Sequence, residues 1–320
     1  MSKSNAAVAL PEPEDDATDS DILVEMTAEP PNFSEGGWDR EPRPAAVGAT
    51  ASGKNRDTEN FPVGSIFIRP DLRPHIHVFY NFARAADDIA DHPLLEPQEK
   101  LIRLSRFTAV MLSDRANDVP TAVAMRESLR QTGLGNQHCL DLITAFKRDA
   151  TQLRYQDWDD LLDYCRYSAS PVGRHVLALH GIGEHAWPAN DALCSALQII
   201  NHIQDCGDDY RTLDRVYIPQ DMLAAHGSTT SDLSRPESTD HLRATIGAML
   251  DRLQIMMAEA RNLPKFVDDK RLKTETSVIA ALGDRLIRLL RRRDPLCDKV
   301  KLGKFAVASA TVKGIVKAWT

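Results

Sequence analysis

Cysteine is scarce in this 320-residue chain: Cys139, Cys165, Cys194, Cys206 and Cys297, an odd number with no CxxC pair. That excludes a disulfide framework. With no secretory signal in view, it reads as reduced thiols in a cytosolic compartment. No apolar run approaches the length needed to cross a bilayer. There is no G-x-G-x-x-G, no internal repeat and no alternation of strand and helix signals, so a dinucleotide-binding α/β sheet is not expected. Positive charge is not in excess either: the net charge is −7, which argues against nucleic-acid binding.

What is present divides into two materials. Residues 1–57 cluster Pro, Ala, Ser, Gly and acidic residues with little periodicity. Five basic residues stand against twelve acidic ones there, so this stretch holds the whole net charge, and the rest balances at 34 of each sign. Such a segment buries too little apolar surface to offset its ordering entropy and is expected to be a disordered acidic tail. It lacks the Arg-rich, acid-poor character of a transit peptide.

Residues 58–320 are expected to form one all-α domain, a set of helices around a central cavity. At 42% hydrophobic residues the chain can bury a large core. After an extended lead-in at 59–65, helical apolar spacing runs from Pro74 to about Asp91. It resumes over about 96–114, 119–132, 136–153, 157–184, 190–210, 239–261, 270–292 and 300–318, with Pro and Gly at the breaks. Pro171 is expected to interrupt 157–184, because proline removes a backbone donor and clashes one turn back.

Two acidic stripes stand out. Tyr80, Arg84, Asp87 and Asp91 fall at i, i+4, i+7 and i+11, one face of one helix, with Asp88 beside them. Gln198, Asn201, Asp205 and Asp209 step by 3, 4 and 4, with Asp208 adjacent. Phe82, Ala86 and Ile89 flank the first stripe and Leu197, Ile200 and Ile203 the second, so burial is near. Two carboxylates about 6 Å apart repel by roughly 3 kcal/mol at an effective dielectric near 20. A lone acidic triplet is equally well a solvated helix face. Two stripes interleaved with Tyr, Arg, Asn and Gln favour a site for a hard divalent cation and a diphosphate, since Mg²⁺ is held by a few carboxylates plus substrate phosphates.

On these motifs the chain resembles the squalene/phytoene synthase family, whose aspartate motifs have the D-x-x-x-D form, the first in a Tyr-x-x-x-Arg-x-x-Asp frame. Tyr164-Cys-Arg-Tyr-Ser-Ala-Ser-Pro-Val-Gly173 and Arg215-Val-Tyr217-Ile-Pro-Gln220 extend the likeness, from about Glu59 into the C-terminal region. Asp208 stands where the family more often shows Glu, and the link from Asp205 to Arg215 is one residue longer than usual. The resemblance implies an isoprenoid-synthase-type helical domain acting on a prenyl diphosphate with Mg²⁺, or Mn²⁺ in its place. Asp87, Asp91, Asp205 and Asp209 are then the first-choice metal ligands, with Asp88 and Asp208 contributing through water. Arg84 and Arg215 suit diphosphate oxygens by their bidentate fork. Gln198 and Asn201 would hydrogen-bond the diphosphate or metal-bound water. Tyr80, Tyr164 and Tyr217 match the family's site tyrosines, offering aromatic faces to a carbocation and hydroxyls for positioning.

Within the family, Glu59-Asn-Phe-Pro-Val-Gly-Ser65, Phe82–Asp91 and Tyr164–Arg174 look most like the bacterial hydroxysqualene synthases of hopanoid pathways. That implies presqualene diphosphate and water as substrates and no requirement for NADPH. The alternatives are a presqualene diphosphate, squalene or phytoene synthase condensing two prenyl diphosphates, and more remotely a non-catalytic helical scaffold. Other features carry blander readings. His175 with His180, and His75 with His77, fit no zinc spacing and read as core or surface histidines. Ser168 and Ser170 lack a nucleophile elbow. Arg291-Arg-Arg293 with Lys299, Lys301, Lys304, Lys313 and Lys317, interleaved with apolar residues, makes the C-terminal region basic and amphipathic. That suits either a packed terminal helix with solvated lysines or peripheral contact with the inner face of an anionic membrane.

Overall fold

A computed structural model describes residues 68–303, 307–309, 311–312 and 315. The expected acidic tail over 1–57, the lead-in at 59–65 and most of the amphipathic C-terminal stretch lie outside the described residues. Residues 68–303 hold eleven α-helices and no strand, only an isolated bridge between Arg154 and Val216, and the described residues beyond them are helical. No described helix is long and apolar enough to cross a membrane.

The helices begin where the sequence supplies start signals. Proline occupies the first turn of α1 (Arg73–Ala90), α2 (Pro97–Leu112), α3 (Pro120–Thr132), α6 (Ser170–Leu179) and α7 (Trp187–Gln204), where its missing N–H has no intrahelical role. The Asp157 carboxylate accepts from the Asp160 N–H at the start of α5 (Trp158–Ser168). Thr239 caps α10 (Asp240–Ala260) and Asp269 caps α11 (Lys270–Leu290) in the same way. Gly133, at φ +70°, ends α3 in the left-handed conformation that glycine adopts freely. Pro171 divides 157–184 as expected, with the boundary at Ala169.

One helix of the sequence reading is two. The period over 190–210 breaks at Asp205 (φ −101°, ψ 6°), which ends α7 and precedes α8 (Cys206–Leu213). Aspartate competes for backbone groups and glycine weakens helices, and Asp205 and Gly207 both fall here. Two bonds span the break: Asp205 N–H donates to Asn201 O at 2.9 Å and Asp209 N–H to Asp205 O at 2.8 Å. The short α9 (Gln220–Ala225) and the 3-10 turns at Glu184–Ala186, Thr230–Ser234 and Leu263–Phe266 had no period long enough to reveal them. α4 (Gln137–Asp149) completes the set.

Two apolar cores form. α1 to α4 enclose Phe82, Leu104, Phe107, Met125 and Leu142. The larger core gathers Leu161, Ile199, Ile200, Ile203, Leu253 and Leu286 from α5, α7, α10 and α11. The histidines belong to this framework: His175 is buried, stacks on Phe79 at 4.1 Å, and burial pushes its pKa down to about 3. At the seam between the cores lies a cavity of about 400 Å³, walled by α1, α6, α7 and α11. Gly173 lines it at a close approach of α6 to α7, where a Cβ would collide with the side chains of Asn190 and Cys194.

Overpacking a close contact of this kind destabilises by about 1–3 kcal/mol. Gly173→Val is therefore expected to lower the melting temperature measurably, and a thermal melt matching wild type would show that Asn190 and Cys194 yield freely.

Candidate active site

The cavity takes its polar rim from the two acidic helices. Tyr80 and Ala83 of α1 and Gln198 and Asn201 of α7 line it. Asp87 lies one turn beyond Ala83 and Asp205 one turn beyond Asn201, so both motifs leave the cavity at the same end. Apolar side chains such as Ile76, Phe79, Leu193 and Leu197 line most of the rest, with Ser168, Asn190, Glu275 and Thr276 among them.

On α1, Arg84 bridges Asp87 (Nη1–Oδ2 3.3 Å) and Asp88 (Nη2–Oδ1 2.8 Å). Asp91 ends the helix and pairs with Arg215. Arg215 is buried and fully engaged: Nη2 donates to Ala90 O at 2.9 Å and Nε to Asp149 O at 3.1 Å. Burial opposes its charge, but Tyr217, Asp149 and Asp91 outweigh that and hold its pKa above the ordinary arginine value. The expected diphosphate ligand is thus in this structure a clamp between the C-terminal ends of α1 and α4. Lys100, whose Nζ donates to Ala90 O at 2.8 Å, adds a further cation beside it; burial lowers its pKa.

Behind the clamp lies a group that sequence reasoning missed. Asp149 is 6% exposed, and its carboxylate accepts hydrogen bonds from Tyr164 Oη at 2.9 Å and Tyr217 Oη at 3.1 Å. Burial pushes its pKa up, against the opposing pull of Arg215 and the Tyr164 hydrogen bond. A signal was present: Leu142, Ala145 and Asp149 continue one buried stripe of α4, so an aspartate stood in core phase. Tyr164 and Tyr217 are buried in this cluster and lie outside the described cavity wall, unlike Tyr80.

The second motif joins the same cluster through His202, also missed. Its ring stacks on Tyr217 at 3.4 Å, Nε2 meets Gln198 Nε2 at 3.1 Å, and Nδ1 lies 3.9 Å from Asp209 Oδ2. Asp209 and Asp205 are half-buried, whereas Asp208 is exposed and paired with Arg211, and Asp88 is also exposed. The structure thus links Asp91, Arg215, Tyr164, Tyr217 and Asp209 through Asp149 and His202, and brings Tyr80, Gln198 and Asn201 to one cavity.

Among the described residues no three His, Cys, Asp or Glu side chains converge as a metal centre. The donor set still fits Mg²⁺. It is all oxygen, and Mg²⁺ is ordinarily held by one or two carboxylates plus substrate phosphates and water, not by a protein cage. Asp87 and Asp91 on one side and Asp205 and Asp209 on the other are the half-buried carboxylates able to hold it.

Removing a buried cation strands its partners, at about 3–5 kcal/mol. Arg215→Ala is expected to lose stability on that scale in denaturant unfolding. Near wild-type stability would make Arg215 a dispensable clamp.

The comparisons with known proteins agree with this geometry. The squalene/phytoene synthase family model matches residues 54–306. The hydroxysqualene synthase of Rhodopseudomonas palustris is 47% identical over 260 residues, covering 81% of this chain and 89% of that protein. That of Zymomonas mobilis is 43% identical, covering 80% and 86%. The crystal structure of squalene synthase HpnC from Alicyclobacillus acidocaldarius superposes with a TM-score of 0.66 at 33% identity, covering 74% of this chain and 90% of that one. A family match over most of the chain, together with relatives more than 40% identical over four fifths of it, shows that the chain belongs to the squalene/phytoene synthase family.

Proposed function

We propose that this protein converts presqualene diphosphate and water to hydroxysqualene and diphosphate. The observation that carries the reading is an apolar cavity whose polar rim leads, within one helical turn on each side, to Asp87 and Asp205. The relatives named hydroxysqualene synthase, at 43–47% identity, support the choice of substrate.

The reaction needs no general base to begin. The carbon–oxygen bond to diphosphate breaks with its electron pair leaving on the diphosphate; the cation rearranges; water forms the new carbon–oxygen bond and sheds a proton. Bound Mg²⁺, held by Asp87, Asp91, Asp205 and Asp209, would supply positive charge against the leaving oxygens. The protein's share is orientation and exclusion of water. Gln198 and Asn201 present amide groups at the rim, and Arg84 keeps Asp87 and Asp88 in place. Phe79 and the face of Tyr80 border the cavity where a cation would be held, and the apolar walls keep stray water out.

A second reading, a reductive or condensing synthase, is favoured by the relative named squalene synthase HpnC. Both are separated by supplying presqualene diphosphate and Mg²⁺ without NADPH in heavy-oxygen water. A labelled isoprenoid alcohol is expected. An unlabelled hydrocarbon, or consumption of farnesyl diphosphate alone, would transfer the protein to the second reading.

The proposal extends to peripheral contact with an anionic membrane at the cytoplasmic face. A surface groove lined by Arg288, Arg292, Arg293 and Lys301, with Leu289 and Leu302, supports it.

Asp87→Asn and Asp205→Asn are each expected to lower diphosphate release by at least about a hundredfold, ~2.7 kcal/mol. Melting of the metal-free protein should not fall, because one repelling carboxylate has been neutralised. A large drop in melting temperature would instead make these residues structural.

A further inference from the structure

A hydroxyl has one proton to donate. Tyr164 and Tyr217 both spend theirs on the same acceptor, the Asp149 carboxylate, at 2.9 and 3.1 Å. Each phenol oxygen is left with lone pairs only, so neither tyrosine, so arranged, can donate a hydrogen bond to a diphosphate. Asp149 itself is buried, and among the described residues no cationic side chain is hydrogen-bonded to its carboxylate oxygens; Arg215 meets its backbone carbonyl instead. A buried carboxylate so placed is an expensive way to fix two side chains that apolar packing would hold equally well.

The contacts of those two tyrosines run to both halves of the site. The Tyr217 ring lies flat on His202 (3.4 Å, 13°), and His202 meets the cavity-lining Gln198 at 3.1 Å and approaches Asp209 at 3.9 Å. In the other direction the Asp149 carbonyl holds the Nε of Arg215, whose Nη1 holds Asp91. Asp149 is the one residue among these that touches both branches.

We infer that Asp149 is a positioning residue for the reaction: its carboxylate fixes the proton direction of Tyr164 and Tyr217 and, through Tyr217 and His202, the placement of Gln198 and Asp209 at the cavity rim. It does not touch substrate. The inference rests on the reading that the chain ionises a prenyl diphosphate. The raised pKa of Asp149 agrees with a carboxylate kept buried at a cost to stability.

Asp149→Asn is the informative variant, because it keeps the shape while its NH₂ group must now donate to one tyrosine and turn that hydroxyl around. With purified full-length protein, presqualene diphosphate and Mg²⁺, kcat is expected to fall at least tenfold with KM within about threefold. The melting temperature should hold or rise, since a desolvated charge is gone. In Tyr164→Phe/Tyr217→Phe protein, adding Asp149→Asn should change kcat less than twofold, the mark of residues acting as one unit. Overturning results are a kcat within threefold of wild type, a loss additive with the double Tyr→Phe change, or a loss that follows a fall in melting temperature. Should Asp149→Asn fail to fold, the single Tyr164→Phe and Tyr217→Phe proteins decide, and unchanged kcat in both rejects the inference. A wild-type protein that releases no diphosphate from presqualene diphosphate defeats the functional reading instead, and farnesyl diphosphate then replaces it as substrate in the same comparison.

Discussion

Carboxylates gathered at one end of a cavity repel one another, and the arrangement of this protein follows from how that repulsion is met. On α1, Arg84 spans Asp87 and Asp88, and Arg215 takes Asp91. Across the cavity rim His202 lies 3.9 Å from Asp209, and Arg211 pairs with Asp208 at the surface. The compensation is uneven. Arg215 is buried and satisfied by two carbonyls besides its carboxylate, while Asp208 and Asp88 form their ion pairs at the exposed surface. Exposed pairs of that kind contribute about 0–1 kcal/mol, whereas the buried clamp fixes where α1 ends relative to α4.

The same imbalance explains why the acidic end can admit a diphosphate. Asp205 and Asp209 are half-buried at a kink that two backbone hydrogen bonds, Asp205 to Asn201 and Asp209 to Asp205, span. They are placed on one face of that helix pair, with His202 beside Asp209. A metal–diphosphate ligand would supply charge of both signs there.

Much of this was legible in the sequence, and the rest was hidden for identifiable reasons. Helical spacing gave the long helices and placed Tyr80, Arg84, Asp87 and Asp91 on one stripe, because that periodicity is a local property. Pro171 marked its break correctly. The kink at Asp205 was not visible, since a single residue off helical angles leaves the period intact. Asp149 follows two charged residues, Lys147 and Arg148, and only its phase with Leu142 and Ala145 marks it as buried. Arg215 looked like a ligand by motif, and its engagement with Ala90, Asp91 and Asp149 depends on contacts across more than sixty positions of chain. The wall contributed by α11, with Glu275 and Thr276 on the cavity, is likewise a tertiary fact.

Gly173 has a reach beyond its own contact. Because α6 meets α7 there without a side chain between them, the gauge of the cavity on that side is set by backbone against Asn190 and Cys194. Val172, Val176 and Leu193 line the cavity on either side of this contact. The spacing of α6 and α7 at that point is thus a backbone property, set apart from the acidic end of the same cavity.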